Sequence, residues 1–263
     1  MLYTFADQLN NKVSIPSPPR RIISLVPSQT ELLASLGLQN EVVGITKFCI
    51  HPATWLKTKT IIGGTKNFRY DVIDALQPDL IIGNKEENYA EGIYELQKKY
   101  PVWMSDIVTW DDALNMIHGI GQITGKEAES LGIITSIKNA FESLKTFSLQ
   151  SVLYFIWRKP WMVAGSDTFI HGMLKKLHLR NAMLASRYPE VSDEEIRQLN
   201  PEYIFLSSEP YPFHEKHIEE LKQISPSSKI ILVDGEMFSW YGSRLLHAPL
   251  YFNSLWDVIR YPL

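Results

Sequence analysis

The feature that most constrains the fold is a recurring alternation of short apolar runs with helical patterns, interrupted once by a long stretch without any strand signal. Residues 22–26, 42–45, 60–62, 80–82 and 102–104 read as strands, with helical patterns at 28–37, 70–76 and 90–99 between them. A continuous apolar run suits a strand buried on both faces. Strands alternating with helices predict a mostly parallel sheet covered on both sides. From 110 to 147 the strand signal vanishes. Residues 111–123 read as one helix and 124–147 as a longer one, with Leu131, Ile134, Ile137, Phe141 and Leu144 at helical spacing. At 1.5 Å per residue the second helix would span about 35 Å, a rod rather than a flexible linker. Strands then resume at 152–156, 204–206 and 230–233.

The expected fold class is therefore α/β, with two Rossmann-like α/β lobes joined by a single long backbone helix. The expected boundaries are 1–122 for lobe one, 123–148 for the helix and 149–263 for lobe two. Lobe one would open with a hairpin around Asn10–Asn11. Ser28 with Glu31, and Ser192 with Glu195, have the spacing of capping boxes, and Ser166 can cap a further helix. The last helix would begin near Gly242 and tolerate or kink at Pro249. One internal echo supports two lobes of similar build. Leu76-Gln77-Pro78-Asp79-Leu80-Ile81-Ile82 matches Leu199-Asn200-Pro201-Glu202-Tyr203-Ile204-Phe205 at an offset of 123 residues. In both, a helix ends, proline stops it, an acid caps the turn and a buried strand follows.

Charge and motifs exclude several function classes. The net charge is −3, and a duplex or RNA binder carries a basic excess, so no nucleic-acid partner is expected. A single cysteine, Cys49, excludes an internal disulfide and cysteine metal clusters. No apolar stretch approaches 18 residues, so the chain is not expected to span a membrane. The opening MLYTFADQLNNKVSIPSPP lacks a basic start followed by an apolar run and a cleavage site. The sequence therefore reads as cytoplasmic, or as periplasmic if a leader has been removed. Gly-x-Ser-x-Gly and Walker loops are absent. Gly119-Ile120-Gly121 has Thr124 where a third glycine belongs and lies in a helical stretch, which fits close helix packing better than a nucleotide. His214 and His217 could share a helix face and bind a metal, but no third ligand is evident. No catalytic residue and no metal site is assigned.

Aromatic residues after strand ends give the strongest binding signal. Trp157, Arg158 and Trp161 follow one predicted strand, and Trp240, Tyr241 and Arg244 follow the last. Indole and phenol rings offer flat stacking faces and arginine a planar donor fork. Ligand pockets favour such positions, although packing between lobes would use the same residues. His51 lies just past a buried strand end, where parallel α/β sheets place ligands.

These segments resemble a known family. Arg21-Ile22-Ile23-Ser24-Leu25-Val26-Pro27-Ser28-Gln29-Thr30-Glu31, then Val43-Gly44-Ile45, His51-Pro52, Gly63-Gly64-Thr65 and 76–82, are similar in order and spacing to the helical-backbone (class III) periplasmic binding proteins of ABC importers. The resemblance runs from about residue 20 through nearly the whole chain and is nearest to the cobalamin-binding branch. It implies a substrate-binding protein, not an enzyme, that reversibly holds a cobalamin-like corrinoid in an inter-lobe cleft, for uptake or intracellular handling. Iron-siderophore or haem binding is the first alternative, and a cytoplasmic corrinoid-processing enzyme on the same lobes the second. No covalent cofactor is implied; the bound partner would be cobalamin or an iron chelate. The implied ligand contacts are His51, Arg69, Asn84, Trp157, Arg158, Trp161, Trp240, Tyr241 and Arg244. In the family, acids on the two lobes dock arginines of an ABC permease; the 123-residue offset pairs Glu86 with Glu209 here, with Glu91 and Glu215 as near-symmetric alternatives.

Overall fold

The computed structural model describes residues 2–16, 18–145 and 149–260. The chain divides into two compact units. Lobe one comprises Met1–Ile107, Asp111–Asn139 and Tyr241–Leu246; lobe two comprises Val108–Trp110, Ala140–Trp240 and His247–Leu263.

Lobe one begins with an antiparallel hairpin, β1 (Leu2–Ala6) and β2 (Lys12–Pro16), whose turn contains Asn10 at φ 65°. It continues with β3 (Ile22–Ser24), α1 (Pro27–Ser35), β4 (Val42–Ile45), α2 (Trp55–Thr58), β5 (Thr60–Ile61), the short pair β6 (Gly63–Gly64) and β7 (Asn67–Phe68), α3 (Tyr70–Leu76), β8 (Leu80–Asn84), α4 (Ala90–Gln97) and β9 (Val102–Ser105). The main sheet has the order β5-β4-β3-β8-β9, and every pairing in it is parallel. Ile23, Leu25, Ile73, Ile81, Leu96 and Met104 are buried together in its core. Two helices follow, α5 (Trp110–Thr124) and α6 (Glu127–Glu142).

Lobe two contains β10 (Ser151–Trp157), β11 (Met162–Val163), α7 (Phe169–Lys176), β12 (Arg180–Asn181), α8 (Asp193–Leu199), β13 (Tyr203–Ser207), α9 (Glu215–Ile224), β14 (Lys229–Val233), α10 (Gly235–Ser239) and α11 (Ala248–Arg260). The strands β10, β13 and β14 run parallel; β12 joins β10 in parallel and β11 antiparallel. Its core gathers Leu153, Phe155, Trp161, Val163, Ile204, Leu206, Phe213 and Leu221.

The internal echo is structural, and its acid acts differently from expectation. Gln77 and Asn200 both close their helices in the left-handed region, at φ 45° and 38°. Each is followed by proline and then by an inner strand, β8 or β13, with every residue buried. The acid caps no turn. Asp79 accepts from the backbone N–H groups of Arg20 and Arg21 just before β3, both at 2.8 Å. Glu202 accepts from the Ser151 N–H at the start of β10, at 2.7 Å. In each lobe a carboxylate thus pins the beginning of one inner strand to the approach of the next.

Two local expectations change. The helix expected over 124–147 is α6, which ends at Glu142; α5 stops at Thr124 and Gly125 turns at φ 70°, while residues 146–148 lie outside the described residues. The two helices approach closely because position 121 has no side chain: a Cβ there would lie 2.0 Å from Ser130 Oγ. The second change concerns α1, which has no side-chain cap. Pro27 occupies its first turn and Val26 its N-cap, so Glu31 is released for another task. The capping box of Ser192 with Glu195 forms as expected, whereas Thr168, not Ser166, caps α7.

Candidate functional site

Parallel strands end on one side of their sheet, and the loops there are where ligands bind in open α/β folds. In lobe one the loop after β4 alternates its side chains. Phe48 and Ile50 point outward, 50% and 43% exposed, while Cys49 between them is fully buried. The thiol sits 3.0 Å from Thr30 Oγ1 and 3.2 Å from Thr46 Oγ1, and burial pushes its pKa up, which keeps it protonated. Lys47 Nζ lies 5.0 Å from the centre of the Phe48 ring. His51, half-buried, follows on the same loop.

The approach to α3 adds Arg69 and Tyr70, both exposed. The Arg69 guanidinium meets Asp71 only at 3.8 Å and has a side chain 60% exposed, so solvent screens that pair. Tyr70 and Tyr89 share a hydrogen bond at 2.7 Å between their hydroxyls. Burial and that bond push the Tyr70 phenol up to about 12, leaving it neutral at physiological pH. Together these residues offer apolar and aromatic surface beside cationic donors. They can hold an amphipathic ligand, but they provide no nucleophile with an adjacent base.

The strand ends of lobe two are arranged otherwise. Trp157, at the end of β10, is 41% exposed and meets Tyr211 edge to face at 5.6 Å. Trp161 is withdrawn into the core at 4% exposure. It stacks on Phe213, meets Phe155 edge-on at 5.3 Å and donates from Nε1 to Asp193 at 3.2 Å. The Arg158 guanidinium lies 3.9 Å from the Trp161 ring centre and pairs with Glu220, Nε to Oε2 at 3.1 Å. That ion pair holds the Glu220 carboxyl below, and the Arg158 guanidinium above, their ordinary pKa values. Trp240 is also buried and donates its indole N–H to Glu209 Oε1 at 2.8 Å.

The periplasmic binding protein model matches residues 22–225. The chain belongs to that family. Among its relatives, an ABC transporter substrate-binding lipoprotein of Bacillus subtilis, itself uncharacterised, is 29% identical over 76% of this chain and 68% of its own. A vitamin B12-binding protein of Vibrio campbellii is 27% identical over 72% of this chain and 71% of its own. A solved structure of a possible iron-binding, periplasmic solute-binding protein from Staphylococcus epidermidis aligns with a TM-score of 0.77 at 24% identity, covering 93% of this chain and 100% of that one. These relatives are named for binding rather than for turnover, and the family name favours the periplasm over the cytoplasmic reading. Among the described residues no helix is long and apolar enough to cross a membrane.

For this periplasmic binding protein, several expected ligand contacts prove to be internal. Asn84 is 1% exposed: its amide donates to Ser105, and its oxygen accepts from the N–H groups of Glu86 and Glu87. Arg158 and Trp161 satisfy each other inside lobe two, as above. Trp240 and Tyr241 are each 6% exposed. Arg244 forms a two-pronged ion pair with Glu31, at 3.0 and 2.8 Å, in a setting where the side chains are 11% and 16% exposed. Trp161 and Trp240 are thus packed inside, with Asp193 and Glu209 accepting from their indole N–H groups. Expected contacts still at the surface are His51, Arg69 and Trp157. Lys47, Phe48, Ile50 and Tyr70 were missed, although an outward-inward alternation beside His51 is readable in the sequence.

Of the expected docking acids, Glu91 and Glu215 are exposed on the first turns of α4 and α9, and Glu86 is half-buried. Glu209 is turned inward by its bonds to Ser239 and Trp240. In the His214–His217 pair both ring nitrogens of His217 already have partners. His217 is 3% exposed, its Nδ1 accepts from the His214 N–H at 2.9 Å and its Nε2 lies 3.2 Å from Tyr211 Oη. No cluster of three metal-ligating side chains occurs among the described residues.

Proposed function

We propose that this protein reversibly binds a bulky metal chelate, a cobalamin-like corrinoid first, for an ABC-type importer. The observation that carries the reading is the exposed group Phe48, Ile50 and Tyr70 at the strand ends of lobe one. Large apolar side chains left in water beside cations suit an amphipathic ligand with an apolar face and a polar rim. Phe48 and Ile50 would pack on the macrocycle, and His51 and Arg69 would meet its polar edge. The vitamin B12-binding relative supports the choice of corrinoid. Glu86, Glu91 and Glu215 are the acids proposed to meet permease arginines.

A ferric chelate or haem is the second reading, favoured by Lys47 and Arg69, which suit an anionic rim. Titration of the purified protein with cobalamin, haem and ferric siderophores, followed by tryptophan quenching, separates the two. Saturable quenching by cobalamin that is little affected by salt supports the corrinoid. Quenching only by anionic chelates, weakening steeply with salt, selects the second reading. No response to any of them overturns both.

A further inference from the structure

Resting on the ligand surface proposed above, we propose that Asn88 is its positioning residue: one buried amide ties the ends of β3 and β8 to the hairpin of β6 and β7, and that hairpin is the seat of the Phe48 ring. Asn88 lies two residues before α4 and is 6% exposed. Its side-chain oxygen accepts the Asn84 N–H at 2.9 Å, at the end of β8. Its amide nitrogen lies 3.0 Å from the carbonyl oxygen of Thr65, in the β6–β7 turn, and 3.4 Å from that of Leu25, just past β3. The three neighbours are one donor and two acceptors, and only a primary amide brings one acceptor and two donors on so short a stem. A flipped amide would set N–H against N–H and oxygen against oxygen, so the network admits one orientation. The backbone closes around it: the Asn88 N–H donates to the Asn84 carbonyl at 3.1 Å, and a Cβ on Gly83 would lie 2.9 Å from Asn88 Oδ1.

The hairpin carries that restraint to the ligand loop. Gly63 takes φ 111°, where a Cβ would meet the Asn67 carbonyl oxygen at 2.3 Å, and its own carbonyl accepts the Lys47 N–H at 2.9 Å. Gly64 is buried, and a Cβ there would come within 3.2 Å of the Phe48 ring and 3.7 Å of Lys47 Cε. Both side chains thus lie directly on the hairpin backbone. Phe48 has no hydrogen-bonding group of its own, so the direction of its face depends on the floor beneath it. Phe68 anchors the returning strand of the hairpin: it is 4% exposed, and its ring lies 5.0 Å from that of Tyr89, the next residue after Asn88. Without the Asn88 amide, the turn keeps this apolar anchor and loses its polar one. The floor under Phe48 then shifts while the lobe stays folded, and a ring held less firmly binds more weakly because more of it must be ordered on binding.

The test compares the full-length wild type, Asn88→Asp, Phe48→Ala and the double variant. Affinities for cobalamin, haem and a ferric siderophore are read by tryptophan quenching, and the loop by amide hydrogen exchange. Asn88→Asp keeps the acceptor for Asn84 and removes both amide donors. It should weaken whichever probe the wild type binds by about three- to tenfold. In the Phe48→Ala background the same change should cost less than about twofold, because Asn88 acts through that ring. Exchange of the Lys47 amide and of residues 63–68 should quicken, while residues 22–24 and 80–82 keep the wild-type rate. Should Asn88→Asp fail to fold, Asn88→Ser, smaller and uncharged, takes its place in the same cycle. An equal loss of affinity in both backgrounds makes Asn88 a merely stabilising residue and overturns the proposal. So does wild-type affinity in Asn88→Asp, or unchanged exchange at Lys47 and 63–68. A wild type that binds none of the probes counts against the ligand reading alone, and the exchange comparison then decides whether Asn88 sets the Phe48 loop.

Discussion

The strand ends of lobe one and lobe two are built from similar residue types and put them to opposite uses. In lobe one the loop after β4 turns Phe48 and Ile50 to solvent and hides a small thiol between them. In lobe two the loop after β10 exposes Trp157 but folds Trp161 back under its own sheet. The difference lies in polar partners. Trp161 and Trp240 have carboxylates waiting for their N–H groups, Asp193 and Glu209, and so can be buried without stranding a donor. Phe48 and Ile50 have no polar handle and a small backbone loop beneath them. An aromatic ring near a strand end therefore reports a binding surface only when nothing beneath it can take it in.

Ways to break this comparison fall in order of expected size. Trp161→Ala removes a ring packed on Phe155, Phe213 and Arg158, and should cost about 3–5 kcal/mol in urea unfolding. Phe48→Ala, by contrast, should shift stability by less than about 1 kcal/mol. Equal losses would abolish the distinction between the two loops. Arg244→Met removes the cation that pairs with the mostly buried Glu31, for a loss of about 2–4 kcal/mol. The double variant Glu31→Gln with Arg244→Met should recover part of it, as measured by thermal unfolding. On the binding side, Phe48→Ala should weaken chelate binding about tenfold, the effect of losing roughly 1.4 kcal/mol of apolar contact. Trp161→Phe should leave affinity unchanged in the same fluorescence titration.

The smallest effect concerns pH. Burial raises the Glu209 pKa in the folded state above its unfolded value, so the folded protein holds this proton longer. Its stabilising contribution is complete below the unfolded pKa and is lost as pH rises through the folded one. The melting temperature of Glu209→Gln relative to wild type should therefore increase steadily from pH 4 towards neutrality, checked by calorimetry at fixed ionic strength.

Much of the fold was legible because its signals are local. Apolar runs located the inner strands, and the 76–82 and 199–205 echo located corresponding corners of the two lobes. The same echo concealed what its acids do, since Asp79 and Glu202 act on strands that begin more than fifty residues earlier. The proposed ligand surface was harder to read. Arg158, Trp161, Arg244 and Asn84 have the chemistry of binding residues, and their internal partners Glu220, Asp193, Glu31 and Ser105 lie far along the chain. Side-chain type announces capacity, and distant partners decide whether that capacity is consumed inside the protein. The boundary between α5 and α6 was legible to within a few residues, and Gly125, at φ 70°, turns the chain there.

Arg244 and Glu31 are separated by 213 positions. Lobe one thus takes its final piece, Tyr241–Leu246, from a stretch made long after its opening helix. Until that stretch is made, the first lobe lacks the arginine that pairs with the acid on α1.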